Sequence, residues 1–552
     1  MNLRAPARPR IWPWGLMLIA SLAVWMVAVE TIIRPESLIM ESTPMLKRFG
    51  WWLLPPLLGI ASLFISQWAV ASSRLNAAET LQRQQAAHEE AQRATAAKMA
   101  ADEKSKQQFT LEIRSVGLTV DRYRQMAVWK RIDEVNNPWQ SILSQNPEDY
   151  AWSGDERSTI NDQRGSRTVE NTLRLWVERW PIPVLVADNN GRGINRILWA
   201  NTLGTHLFTA QSAHKGEGSD VLVQQLFQMF DDNPTLPAVV LLSFDSQEDL
   251  PGYYSKNSRF VPEVPDSMVG ILVTRSDRVD QFIRPFVVNT PYEIDKRDTK
   301  YDVIKLWNYY FAQEREYDKS PKHYDTMPTA YWNERVKELI SQIDPAAGQG
   351  GAIPFWNQGK SGFQPTPWLP VRWTKWQLED EYDRAPIVGH LHRPIEIKFN
   401  GMNAHQQSEA MIDGWKKALA TLRVDDAPQW LFYDTGNHDK HIIPFSSAMA
   451  IKDTPHSIDF SDPKRSYNLS RRVADTGASS PFVQLALAAM RSYSHGGISA
   501  TVNLRQDGRA SIIMVSPPTA AEKAKNKSNP YNGGSVIDSS QPYDPFIEKR
   551  MR

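Results

Sequence analysis

The chain has 552 residues, room for three to four structural units at about 150 residues each. Its 63 Lys and Arg face 62 Asp and Glu, a balance that excludes the electrostatic footprint of a dedicated nucleic-acid binder. A hydrophobic share of 41% excludes wholesale disorder, and the absence of Cys excludes disulfides, thiolate metal sites and a Cys nucleophile.

Two apolar runs open the chain, Trp12 to Val29 and Gly50 to Ser73. A bilayer core about 30 Å thick needs roughly 20 apolar residues as helix, so both read as spans of a transmembrane hairpin over 1–74. Pro55 and Pro56 are expected in the first turns of the second span, where a missing N–H costs least. A cleavable signal peptide is the competing reading, with Arg4, Arg8 and Arg10 as its basic head. Its cleavage-like Ala69-Val70-Ala71, however, follows the second run rather than the first. Two retained spans return the chain to its starting side, and the basic head places that side in the cytoplasm. The expectation is an inner-membrane protein with its large domain cytoplasmic. Residues 75–108, rich in Ala, Glu, Gln, Lys and Arg, then read as a helical spacer.

The body reads as alternating helices and buried strands. Strands are expected at Phe109–Thr119, Ile182–Ala187, Ala238–Phe244 and Gly270–Val273, with a helix over Asp121–Glu134. Leu222, Leu226 and Phe230 mark another helix, starting near Glu217. The grammar recurs later: strand Ile395–Phe399, amphipathic helix Ala404–Leu422, strand Trp430–Tyr433. Ser480 is then expected to cap a nearly all-apolar helix, with Pro481 at its first position, ahead of a hairpin of Ile498–Leu504 and Ala510–Val515. The order helix, Asp-Asp, Pro, strand occurs before Ala238 and again before Trp430, which hints at two topologically similar halves. The expected fold is therefore α/β, with two such halves carrying mixed sheets at 109–345 and 386–517 behind the hairpin. Between them, 346–385 reads as a Trp/Pro/Gly-rich linker or insertion, and 518–552 as a flexible tail. Trp356, Trp368, Trp373 and Trp376 crowd around that linker and are candidate partner-binding anchors, with core packing as the plainer use.

Several strings invite a chemical reading. Gly389-His390-Leu391-His392 and Gly436-Asn437-His438-Asp439 match two motifs of calcineurin-like metallophosphoesterases. They stand in the reverse of that family's order, without its Asp-x-His or Gly-Asp-x-x-Asp, so the plainer reading of the histidines is strand and loop packing. Lys360-Ser361 resembles the end of a P-loop, but Pro354 occupies the first glycine position. No Gly-x-Ser-x-Gly elbow occurs. Tyr150-Ala-Trp-Ser-Gly-Asp155 is distinctive and carries no chemical reading. No cofactor site is expected.

The N-terminal membrane segment, the strand–helix start Leu111–Arg124, Val388-Gly-His-Leu-His-Arg-Pro394 and the closing helix and hairpin together resemble the type VI secretion lipase-adapter proteins of Gram-negative bacteria, over roughly 108–517. The resemblance implies a non-enzymatic adapter or chaperone. Its partners would be a lipase-type effector, the type VI spike protein and the inner membrane, with no nucleic acid. Alternatives are an envelope scaffold with other partners, or a metal-dependent hydrolase built on His390, His392, His438 and His441. A duplicated α/β body also brings the thiolase-like fold into consideration, an analogy that carries no function by itself.

Overall fold

The computed structural model describes residues 11–31, 45–135, 137, 139–173, 182–188, 208–212, 218–246, 260–288, 306, 309–310, 312–313, 315–317, 329–342, 362–505, 508–527 and 529–531. The chain divides into a unit of residues 1–105 and a body of residues 106–552. In the first unit, α1 (Ile11–Thr31) and α2 (Met45–Gln108) are joined by an edge-to-face contact of Trp14 with Phe64. Both helices are long and apolar enough to cross a membrane, at Ile11–Ala28 and Leu53–Arg74. The second span and the expected spacer are one uninterrupted helix. Pro55 and Pro56 lie well inside it rather than in its first turns.

The body runs in chain order through β1 (Thr110–Val120), β2 (Tyr123–Arg124), α3 (Met126–Glu134), α4 (Gly154–Leu173), β3 (Pro183–Asp188), β4 (Phe208–Ser212), α5 (Asp220–Asp232), β5 (Ala238–Asp245) and β6 (Ser267–Thr274). It continues with α6 (Thr329–Gln342), β7 (Gly389–His392), β8 (Ile395–Lys398), α7 (Ala404–Ala420), β9 (Pro428–Asp434), α8 (Ile443–Ala450), β10 (Ser466–Asn468), α9 (Ser480–His495), β11 (Ile498–Asn503), β12 (Arg509–Ser516) and α10 (Ala520–Lys525).

The described strands form one mixed sheet in the order β10-β9-β11-β12-β7-β1-β6-β5-β3-β4. From the centre outward, β1 pairs antiparallel with β6, β6 antiparallel with β5, β5 parallel with β3, and β3 parallel with β4. On the other side β7 pairs antiparallel with β12, β12 antiparallel with β11, β11 parallel with β9, and β9 parallel with β10. Each half therefore has the same strand order, first-fifth-fourth-second-third, with the same directions. The two first strands, β1 and β7, pair antiparallel where the halves meet.

The halves are topologically similar, as the sequence suggested, but by a different correspondence. The fourth strand β5 matches β11, and the second strand β3 matches β9. The recurring Asp-Asp–Pro string precedes β5 and β9, which are not equivalent, so it marks a common helix-to-strand connection rather than the duplication.

Alternation along the strands sorts the core. Leu185, Val239, Leu241, Val269 and Ile271 join α5 and α9 in one cluster, together with Phe432, Ile513 and Val515 from the second half. The opposite face of the first half, including Val184, Val240 and Leu242, packs with Val169 and Leu173 of α4. In the second half Leu431, Ala500, Val502 and Ile512 pack with Met411 and Trp415 of α7. α5 and α9 thus lie between the halves, with α4 and α7 on their outer faces. α9 is buried over nearly its whole length, which explains its nearly all-apolar sequence between Phe482 and Met490. Its N-cap is Ser479, not Ser480, and Pro481 sits one position further in than expected.

Candidate functional site: a groove at β7 and the strand ends of β9

Gly389-His390-Leu391-His392 is strand β7 itself, so the period of two directs both imidazoles to one face. Each is engaged by protein groups. His390 Nε2 lies 3.0 Å from a carboxylate oxygen of Glu522 on α10. His392 Nδ1 lies 3.0 Å from the carbonyl oxygen of Thr421, and its Nε2 lies 2.6 Å from Ser516 Oγ. A carbonyl can only accept, so Nδ1 carries the proton and Nε2 accepts from the serine hydroxyl. Burial, the largest influence, pushes the His392 pKa down to about 4. The residue is a neutral tie between β7, the end of α7 and the end of β12.

The two histidines line a groove of about 940 Å³ at the amino ends of β9 and β11. Arg423, Asp425, Asp426 and Arg465 are exposed on its walls, and Asp425 and His456 hold positive φ values of 72° and 51°. Val424, beside these charges, is 75% exposed. The walls are polar and of mixed sign.

Gly436-Asn437-His438-Asp439 follows β9 at its other end. Gly436 and Asn437 both adopt positive φ, which turns the chain out of the strand. His438 and His441 lie with ring centroids 5.0 Å apart, and His441 Nδ1 is 2.8 Å from the carbonyl oxygen of Leu504. The seven residues of β9 separate this pair from His390 and His392 by about 20 Å. The four histidines of the hydrolase reading therefore do not converge. Among the described residues no three His, Asp or Glu side chains are grouped to hold a metal ion.

At the carboxyl end of β9 sits a residue that periodicity did not single out. Asp434 is fully buried and accepts hydrogen bonds from Ser470 Oγ, Ser480 Oγ, the Gly436 amide at 2.8 Å and Arg505 Nη1 at 3.0 Å. Arg505 also reaches Asp475 at 2.6 Å, and Arg509 pairs with Asp220 at the start of α5. Asp434 thus holds the first turn of α9, and the Arg509–Asp220 pair holds the first turn of α5 to the second half. The oxygens of Asp434 are committed to structure. A buried Asp following an apolar strand, with Ser-Pro opening a distant helix, was its only trace in the sequence.

The tryptophans divide. Trp368 is 2% exposed and Trp373 1%, and both pack in the core. Trp376 is half-buried, and Trp356 lies outside the described residues. The segment around Trp373 explains the burial: Leu369, Trp373, Leu378 and Tyr382, the last two in a π-helical stretch Gln377–Tyr382, cover the outer face of the first half.

Fold and groove define a duplicated mixed α/β protein that follows two apolar helices. Its two halves match two family models, Type VI lipase adapter protein Tla3, N-terminal, over residues 109–259, and the C-terminal counterpart over 388–517. The chain belongs to the type VI lipase adapter family. Among solved structures it is similar to the ketosynthase domain OzmH KS8 of Streptomyces albus JA3453, at 7% identity and a TM-score of 0.39, covering 75% of this chain and 96% of that one. It is also similar to 3-oxoacyl-[acyl-carrier-protein] synthase III of Aquifex aeolicus VF5, at 9% identity and a TM-score of 0.33, covering 74% and 99%. The duplication itself rests on the strand pairing of this chain.

Proposed function

We propose that this protein is a membrane-held adapter that binds a lipase-type effector in the cytoplasm and delivers it to the type VI secretion spike. The observation that carries the reading is the match of the lipase-adapter models to both halves of the duplicated body. The two apolar helices supply the membrane attachment, and the basic head with Arg4, Arg8 and Arg10 favours a cytoplasmic body. A specific contact of this kind buries about 1,600 Å² in total. Trp376, half-buried, and the exposed charges along the groove belong to the surface from which such a contact is built.

The test is affinity capture of the tagged full-length chain from its own cells in mild detergent. Recovery of a lipase together with a spike protein supports the proposal. Recovery of other envelope proteins, with lipase and spike present in the lysate but not retained, replaces it with an envelope scaffold. Protease treatment of spheroplasts tests the topology: a cytoplasmic body survives until the membrane is opened.

A further inference from the structure

The string Tyr150-Ala-Trp-Ser-Gly-Asp155 finds its place beside a buried arginine. Arg164, on α4, has a side chain only 3% exposed. Its Nη1 is 3.1 Å from Asp121 Oδ1 and 2.7 Å from Asp266 Oδ2. Among the described residues, no protein atom accepts from its Nε or Nη2. Burial alone would lower the Arg164 pKa, but the two carboxylates outweigh it and hold the guanidinium above its ordinary value.

The two aspartates are otherwise occupied. Asp121 Oδ2 accepts from the Tyr150 hydroxyl at 3.2 Å, and Asp266 Oδ1 accepts from Asn161 Nδ2 at 3.0 Å and from Ser246 Oγ. Asp121 opens the two-residue turn between β1 and β2 at a φ of 52°, a conformation that hairpin turns require and that aspartate tolerates. What stays unpaired is the Nε–Nη2 edge, the pair of parallel N–H donors that matches both oxygens of a carboxylate.

Beside Arg164 is a pocket of about 30 Å³, walled on its apolar side by Trp152, Ile160, Pro262 and Val264. At 10–15 Å³ per water this is room for about two waters, the space that two carboxylate oxygens occupy. The Trp152 ring centroid is 5.7 Å from the guanidinium carbon, and the ring is half-buried at the rim. Arg157 and Arg164 face Asp121 and Asp266 across the pocket, so the walls are neutral as a whole. Neutral walls suit a singly charged group and leave a phosphate dianion poorly compensated.

We infer that the pocket formed by Arg164, Trp152 and Tyr150 is a binding site for a carboxylate group, from a small organic acid or from an acidic side chain of a partner polypeptide. The full-length chain in detergent is titrated with sodium acetate and with the blocked peptide acetyl-Gly-Glu-Gly-amide, followed by saturation-transfer NMR and calorimetry, with sodium chloride at equal ionic strength as control. Saturable binding of either probe, at least tenfold weaker in Arg164→Lys, supports the site. That substitution keeps a charge for Asp121 and Asp266 but loses the two-pronged edge. Trp152→Ala, at the half-exposed rim, is the second variant and weakens binding without touching the buried pairs. Tighter binding of acetate identifies a free acid as the source, and tighter binding of the peptide identifies a side chain. No saturable binding of either probe, or equal binding by wild type and both variants, overturns the inference.

Discussion

Gly117 of β1 and Gly270 of β6 are direct partners in the antiparallel ladder, and α4 lies against both. A Cβ added at Gly117 would stand 2.2 Å from the backbone carbonyl oxygen of Thr168 and 2.3 Å from Thr172 Oγ1. At Gly270 it would stand 2.0 Å from Thr172 Oγ1, with Leu242 Cδ2 at 2.7 Å. The two clashes differ in degree. At Gly270 the tightest obstacle is a hydroxyl that can rotate away, at the cost of its 2.7 Å hydrogen bond to Thr168 O, and Thr172 Cβ at 2.8 Å asks the helix for only a few tenths of an ångström more. At Gly117 the obstacle includes the helix backbone, so α4 itself must withdraw and carry Val169 and Leu173 out of the core. Overpacking a close contact costs about 1–3 kcal/mol, which places Gly270→Ala near ~1.5 and Gly117→Ala at or above ~3 kcal/mol. The assay is urea unfolding of the full-length chain in detergent, followed by far-ultraviolet circular dichroism, for both variants alone and combined with Thr172→Ala. Removing the hydroxyl should recover most of the Gly270→Ala loss and leave most of the Gly117→Ala loss, a coupling difference of about 1 kcal/mol. Equal rescue of both variants, or a Gly117→Ala loss below ~0.5 kcal/mol, would refute the close approach of α4 to the sheet.

Three further outcomes concern the buried polar groups and the tryptophans. His392 is held neutral in the fold, with its pKa near 4 against an ordinary 6.5, so the unfolded chain takes up a proton first as pH falls. Its contribution to stability is intact above pH 6.5 and is lost between 6.5 and 4, by about 3 kcal/mol in total; unfolding at pH 7 and 4.5 should show this loss, and a smaller one in His392→Gln. Asp434→Asn leaves Arg505 half-compensated in a buried network and should cost about 3 kcal/mol, with Ser480→Ala costing less because it removes one donor and no charge; thermal unfolding ranks the two. Trp373→Ala should lose about 3–5 kcal/mol as a core cavity, whereas Trp376→Ala should stay within ~1.5 kcal/mol, and a stability loss at Trp376 as large as at Trp373 would contradict its half-buried placement.

The elements legible in the sequence were those whose burial is written in apolar residues. β5 and β6 are buried on both faces and read as continuous hydrophobic runs, and α7 carries its stripe at helical spacing. α4 was invisible because its buried side bears Arg157, Asn161, Arg164, Thr168 and Thr172 beside only Ile160, Val169 and Leu173. Such a face has the helical period but not the hydrophobicity that reveals it. β10, three residues long, is too short for any period. The histidine strings were legible as strings, yet only the length of β9 decides that they stand at opposite ends of a strand.

The duplication shows which of these features geometry requires and which it leaves open. In each half a helix between the first and second strands packs on the fifth strand and one neighbour of it: α4 on β6 and β1, α7 on β12 and β8. In the first half the close approach is made by glycines in the strands, Gly117 and Gly270, against threonines of the helix. In the second half the glycine has moved to the helix, where a Cβ on Gly414 would meet Ile397 Cδ1 at 2.2 Å. Each half has a close helix–sheet approach at a glycine, and the glycine that permits it changes sides. Two halves built to one plan can therefore share strand order and helix placement without sharing a residue pattern. For that reason the order of pairing reveals the repeat, and the Asp-Asp–Pro string does not.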